Sequence, residues 1–270
     1  MKLACVVTLV LVSLTSYLPP VRVQLAESVS NPLGTHFAQR PKFPDNGAPT
    51  GRRRGGTSRD GCPALNKPLT ALVPGEETLG EVQAGTSPKI ISKSFLASTV
   101  AKYPTFWFYV PQLPTTARRS KFVLQNEAGD DVYATALTLP EKPGIISISL
   151  PQSSQYSLEK DLKYHWYFKV HCGVTQKTPD YFFVDGWVQR VALTRDLESQ
   201  LKTAKTGEYI AYAANNIWYD ALTNLAELRR TNSQNHMLKD DWANLLRLVG
   251  LQDLAQEPVV QRYSQFPTKT

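Results

Sequence analysis

Residues 163–172 read Lys-Tyr-His-Trp-Tyr-Phe-Lys-Val-His-Cys, and their two faces differ sharply. Tyr164, Trp166, Phe168, Val170 and Cys172 share one parity, while His165, Tyr167, Lys169 and His171 share the other. Because successive side chains of a strand point to opposite faces, this segment is a long strand with one side committed to a core. A chain that contains it must build a sheet and cover one face of it. The surrounding sequence supplies partners. Leu69 to Val73 stops at Pro74-Gly75, and Thr105 to Val110 is an aromatic run closed by Pro111. Lys121 to Asn126 leads through Glu127-Ala128-Gly129-Asp130 into Asp131 to Leu139, a hairpin signal. Ile146, Ile148 and Leu150 alternate with Ser147 and Ser149, which predicts one buried and one wet face. A further long strand is expected over Asp180 to Leu193, after a polar turn around Gly173 to Pro179. Short strands at this spacing favour an antiparallel β-sandwich. A core Trp and Cys make it loosely immunoglobulin-like, although here both lie on one strand, which the immunoglobulin pattern does not predict.

After Leu193 the apolar period changes from two to about 3.6. Thr194 is placed to cap a helix running through Ala204, and Thr206 a second reaching about Asn215. Trp218, Leu222, Leu225 and Leu228 then form an apolar stripe opposite Asp220, Asn224 and Glu227. Beyond the polar turn at Thr231 to Gln234, Trp242, Leu245, Leu246 and Val249 repeat the pattern, with Gly250 as the C′ residue. The expectation is a mainly β protein with an α C-terminal region, ending in a helical hairpin. That hairpin either packs on the sandwich or offers a groove to a partner.

The N-terminus reads as an export signal. Lys2 precedes an apolar run from Leu3 to Leu14, too short to span a bilayer, and Pro19-Pro20 ends any helix. Removing residues 1–26, with Lys2, Arg22 and Cys5, lowers the net charge from +7 to about +5. The mature chain keeps Cys62 and Cys172, which in an oxidising compartment predict a disulfide. Closing so long a loop contributes roughly 4 to 5 kcal/mol in the chain-entropy model. Two cysteines and four scattered histidines offer zinc no ligand spacing, and no metal or cofactor is expected. The resulting division is signal 1–26, linker 27–67, β-sandwich 68–193, helical region 194–256 and tail 257–270.

Within the linker, Gly51-Arg52-Arg53-Arg54-Gly55-Gly56 could hold an anion through backbone N–H groups and guanidinium forks. It lacks the Gly-Lys-Ser/Thr ending of a phosphate loop, and export argues against nucleic acid as a partner. Trp107 and Tyr109 occupy one face of their strand, with Phe106, Phe108 and Val110 on the other. Either Trp107 and Tyr109, with Tyr167 and Trp187, form an aromatic platform for carbohydrate, or the helices cover the first pair. His165 and His171, near Asp180 and Asp185, allow an acid/base site to be imagined. No nucleophile elbow, zinc-protease motif or dinucleotide fingerprint accompanies them, and no catalytic residue is assigned.

The stretch Phe43 to Arg59, the run Tyr103 to Pro111, Tyr164 to Phe168, Gly186 to Val191 and Ile217 to Ala221 resemble the cyanobacterial Domain of Unknown Function 928 family. The resemblance covers nearly all of the chain after the signal. It implies a cell-envelope protein of a cyanobacterium and transfers no activity, cofactor or catalytic residue. It also leaves two readings of Arg52, Arg53 and Arg54 open, interaction segment and solvated linker. The functional expectation is an exported structural or protein-interaction protein of the periplasm or cell exterior. The alternative is a carbohydrate or envelope-polymer binding module, and a hydrolase ranks behind both. The partner is an envelope protein or polymer, with no stable transmembrane segment once the signal is cleaved.

Overall fold

The computed structural model describes residues 41–57, 62, 65–80, 90–115, 117–172 and 181–263. The expected export signal with Cys5, linker residues 27–40 and 58–61, the turn at 173–179, Asp180 and residues 264–270 lie outside them.

Two sheets face each other. The larger is built on the long pair β10 (Lys163–His171) and β11 (Tyr181–Arg190), antiparallel with His165 opposite Trp187. On the other side of β10 come β7 (Arg119–Gln125) and β8 (Asp131–Thr138), joined by the expected hairpin. The free edge of β11 is shared by β1 (Gly56–Thr57), antiparallel, and β5 (Ala97–Thr99), parallel. The smaller sheet has the order β12-β9-β6-β2, from β2 (Thr70–Ala71), β6 (Thr105–Val110), β9 (Gly144–Ser149) and β12 (Val259–Tyr263). A hairpin of β3 (Gly75–Leu79) and β4 (Ile90–Ser94) stands apart as a two-stranded sheet.

The core between the sheets is aromatic. Phe106 and Phe108 of β6 meet Phe122 of β7 and Trp166 of β10, and Phe108 lies 4.5 Å from Phe168 between ring centroids. Offset and edge contacts of this kind add to the burial of large rings. Gly186, opposite Trp166 on β11, is required here: a Cβ at that position would come 2.5 Å from the Trp166 ring.

Four helices follow: α1 (Arg195–Thr203), α2 (Glu208–Ala214), α3 (Trp218–Thr231) and α4 (His236–Leu248). The Thr194 side chain caps α1 as expected, by accepting from the Leu197 N–H. The second helix departs from expectation, with Gly207 at its N-cap instead of Thr206. Gly250, with φ +73, follows α4 as its C′ residue. The α3 helix covers the outer face of the small sheet. Its Thr223 accepts from the Trp107 indole at 2.9 Å, and Trp218 donates to the Leu72 carbonyl at 2.8 Å.

Three further expectations are corrected. The sheets are mixed where antiparallel ones were expected, because β5 and β12 each return parallel to their neighbours, β11 and β9. Ser147 of β9, expected on a wet face, is buried, since the helical layer lies over that side of the sheet. The segment read as a tail supplies β12. Among the described residues no helix is long and apolar enough to cross a membrane.

Candidate functional site

Alternation along β10 and β11 sends Tyr164, Trp166, Phe168, Val170, Phe182, Val184 and Val188 inward. It sends His165, Tyr167, Lys169, His171, Tyr181, Phe183 and Trp187 to the other face, which is half-buried. The antiparallel register makes His165 and Trp187 direct cross-strand partners, and their rings stack at 4.3 Å and 14°. Tyr167 packs on the other flank of His165 at 4.2 Å. The Lys169 ammonium lies 5.2 Å from the Tyr167 ring and 5.4 Å from that of Tyr181. Tyr181 meets Phe183, and Arg52 covers Phe183 at 4.2 Å. The result is a continuous ladder of rings and cations standing on the sheet, each gripped by its neighbours.

Hydrogen bonds fix its centre. His165 Nε2 lies 2.8 Å from Asp185 Oδ2, and Tyr167 Oη lies 2.8 Å from His165 Nδ1. With the carboxylate as acceptor, Nε2 carries the proton of the neutral ring and Nδ1 accepts from the tyrosine hydroxyl. Asp185 Oδ1 takes the Arg52 backbone N–H at 3.1 Å. Burial, and then the Asp185 charge, raise the Tyr167 pKa, so its hydroxyl stays a donor. Of the acid/base group imagined from sequence, the structure therefore brings His165 and Asp185 together and adds Tyr167. His171 stands farther along the face beside Tyr181, where burial and then Arg119, Lys169 and Lys121 hold its pKa below the ordinary histidine range. Lys121 and Arg119 of β7 continue the face and add positive charge to it beside the carboxylate of Asp185.

The three arginines go to three places. Residues 51–57, placed in a linker by composition, run along the β11 edge: the Asp185 N–H donates to the Arg52 carbonyl, and Gly56 pairs with Phe183. Gly51 exchanges backbone hydrogen bonds with Ser94, and a Cβ there would lie 2.3 Å from the Asp185 carbonyl oxygen. In an extended chain consecutive side chains diverge. Arg52 accordingly lies on the outer face. Arg53 turns inward and is 2% exposed. It donates to Glu77 Oε1 at 2.8 Å, to the Gly75 carbonyl, and to the Val249 carbonyl at the C-cap of α4, where a cation is favoured by the helix dipole. Arg54 forks onto Asp253 at 2.9 and 3.0 Å and also reaches Glu77. Neither is a solvated linker side chain. Arg53 and Arg54 clamp β3, the end of α4 and the turn after it to the sheet edge.

Trp107 and Tyr109 are 2% and 4% exposed. They are not a platform, because the helical layer covers their face of β6. Tyr167 and Trp187 lie on the half-buried outer face of the large sheet. Cys62 and Cys172 are joined in a disulfide with Cα atoms 5.4 Å apart, inside the usual range for a bridge, tying the segment after β1 to the end of β10. Among the described residues no group of three or more His, Cys, Asp or Glu side chains could hold a metal ion.

A family model, Domain of Unknown Function (DUF928), matches residues 54–259. The chain belongs to the DUF928 family. The DUF928 match opens on Arg54, in the clamp, and closes on Val259, the first residue of β12. It therefore takes in all four helices and every strand except the remainder of β12. No curated protein and no solved structure matches this DUF928 chain.

Sequence reasoning missed Phe183, Tyr181 and Lys169 as members of the ladder. Their alternation was visible in the sequence, but cross-strand neighbours follow from register, which sequence alone does not set. Glu77 and Asp253, the acids of the clamp, carried no signal at all, since they stand 24 and 199 residues along the chain from the arginines they hold.

Proposed function

We propose that this is an exported, non-catalytic interaction protein of the cyanobacterial cell envelope, and that its contact surface is the outer face of β7, β10 and β11. The observation that carries this reading is the ladder from Trp187 through His165, Tyr167 and Lys169 to Tyr181. Aromatic rings are enriched at protein interfaces because they offer large contact area at low entropy cost. Here the stack has already ordered them. The basic surround of Arg119, Lys121 and Lys169 suits an acidic partner surface.

Half-exposed Tyr167 and Trp187 beside lysines also support a second reading, an acidic envelope polysaccharide. One experiment separates the two. Residues 27–270 are used to capture partners from envelope extract, beside a Lys121→Glu, Lys169→Glu double variant with an unchanged melting curve. A defined protein captured by the wild type and lost at least tenfold in the variant supports the protein reading. Glycan alone, lost in the same way, supports the second. Equal capture by both chains rejects the face as the contact.

A further inference from the structure

A cavity of about 550 Å³ opens where the turn between α3 and α4 meets β12, in a different layer from the ladder. Its wall includes Arg229, Arg230, Lys239 and Arg262, and no aspartate or glutamate lines it. Two of these cations are already neutralised. Arg230 and Arg262 share the carboxylate of Glu227, which sits one turn earlier on α3. Arg229 is different. Among the described residues it has no ion-pair partner; its side chain is half-buried, with Nε and Nη1 buried and lacking an acceptor. Its guanidinium carbon lies over the Trp242 ring of α4, 4.6 Å from the centroid. Burial lowers its pKa with no acid acting in the opposite sense.

Taking two guanidinium nitrogens out of water without acceptors is costly, and a cation–π contact offsets only part of that cost. Native proteins supply such a charge with a counter-charge, and buried donors without acceptors are few. At Arg53 the counter-charge is Glu77. At Arg229 no acid among the described residues fills that role. The remaining wall combines amides and a hydroxyl, from Asn232, Ser233 and Asn235, with the apolar Val259 and Val260. A cavity of this volume exceeds what a bare inorganic ion needs and falls within the range of small-ligand sites.

We propose that this cavity binds a small ligand carrying an oxyanion on a sugar-sized body, with Arg229 supplying the compensating charge and Lys239 a weaker one at the rim. Guanidinium groups suit carboxylate, phosphate and sulfate alike, so the shared chemistry is the oxyanion.

The test uses purified protein in low-salt buffer, with thermal-shift and calorimetric titration of four probes: glucuronate, glucose 6-phosphate, inorganic phosphate and inorganic sulfate. Either sugar acid should bind at least tenfold more tightly than the inorganic ions, and whichever binds identifies the acid group. Arg229→Met keeps an apolar chain over Trp242 and removes the charge. It should melt no lower than the wild type without ligand, yet bind at least tenfold more weakly, and Lys239→Ala should lose a few-fold. If Arg229→Met does not fold, Arg229→Gln carries the same expectation. The proposal is overturned if no probe binds at 10 mM, if affinity survives the Arg229 substitution, or if inorganic ions bind as well as the sugar acids.

Discussion

The outer faces of the two sheets start from the same kind of sequence and end differently. On β6, Trp107 and Tyr109 alternate with Phe106 and Phe108. On β10 and β11, Tyr167 and Trp187 alternate with Trp166, Phe168 and Val188. In each case aromatic side chains occupy both parities. On the small sheet the helices complete a third layer, and the Trp107 indole finds its acceptor on Thr223 of α3. On the large sheet no such layer lies among the described residues, and the aromatic groups stack on one another and on cations. A covered aromatic pair contributes to stability through burial. A half-buried but ordered one is left free to contribute to contact.

Paired truncations test that contrast most strongly. Trp107→Ala leaves a cavity between sheet and helix and strands the Thr223 hydroxyl, so it should cost about 3–5 kcal/mol in a denaturant titration. Trp187→Ala removes one stack from a half-exposed face and should cost about 1 kcal/mol. If the two losses are equal, the ladder is core in the same sense as β6, and its role as a contact surface fails.

The arginine segment makes the same division within three residues. Arg53→Ala leaves Glu77 without its buried partner and the α4 C-cap without its donor, an expected loss of about 3 kcal/mol. Arg52→Ala removes only a cation from above Phe183, about 0.5–1 kcal/mol. Thermal melts of the two single variants, read side by side, sharpen the comparison. An Arg53→Ala chain as stable as Arg52→Ala would mean that the segment is dispensable to the fold.

These contrasts mark how far the sequence could be read. The two-residue period fixed which side chains of β10 face inward, and the helical stripes and the Thr194 cap located α1, α3 and α4 closely. What the period cannot supply is the occupant of the far side. Trp107 and Trp187 look equivalent in sequence, and only the return of α3 across the small sheet separates them. The arginines misled for a related reason. A run rich in Gly, Pro and Arg has little apolar surface of its own, and composition alone reads it as solvated. Its order comes from long-range partners: Asp185 for the backbone of Arg52, Glu77 for Arg53 and Asp253 for Arg54. The pair Cys62 and Cys172 was legible because only two cysteines follow the apolar leader.

The smallest effect expected is a pH dependence confined to the outer face of the large sheet. His171 is held below the ordinary histidine value of about 6.5 first by burial, then by Arg119 and Lys121 on β7 and Lys169 on β10, with Tyr181 of β11 beside its ring. A histidine lowered in this way binds its proton more readily in the unfolded chain. Stability is therefore complete above about pH 6.5 and declines as the pH falls from there through the folded value. Melting curves between pH 7.5 and 5 should show this decline in the wild type and a shallower one in His171→Gln. Added salt should weaken the part due to the three cations and leave the part due to burial. If the wild type and His171→Gln follow parallel curves, the face is hydrated enough to screen its own charges. The basic surround would then confer no preference for an acidic partner, and contact would rest on the aromatic rings alone.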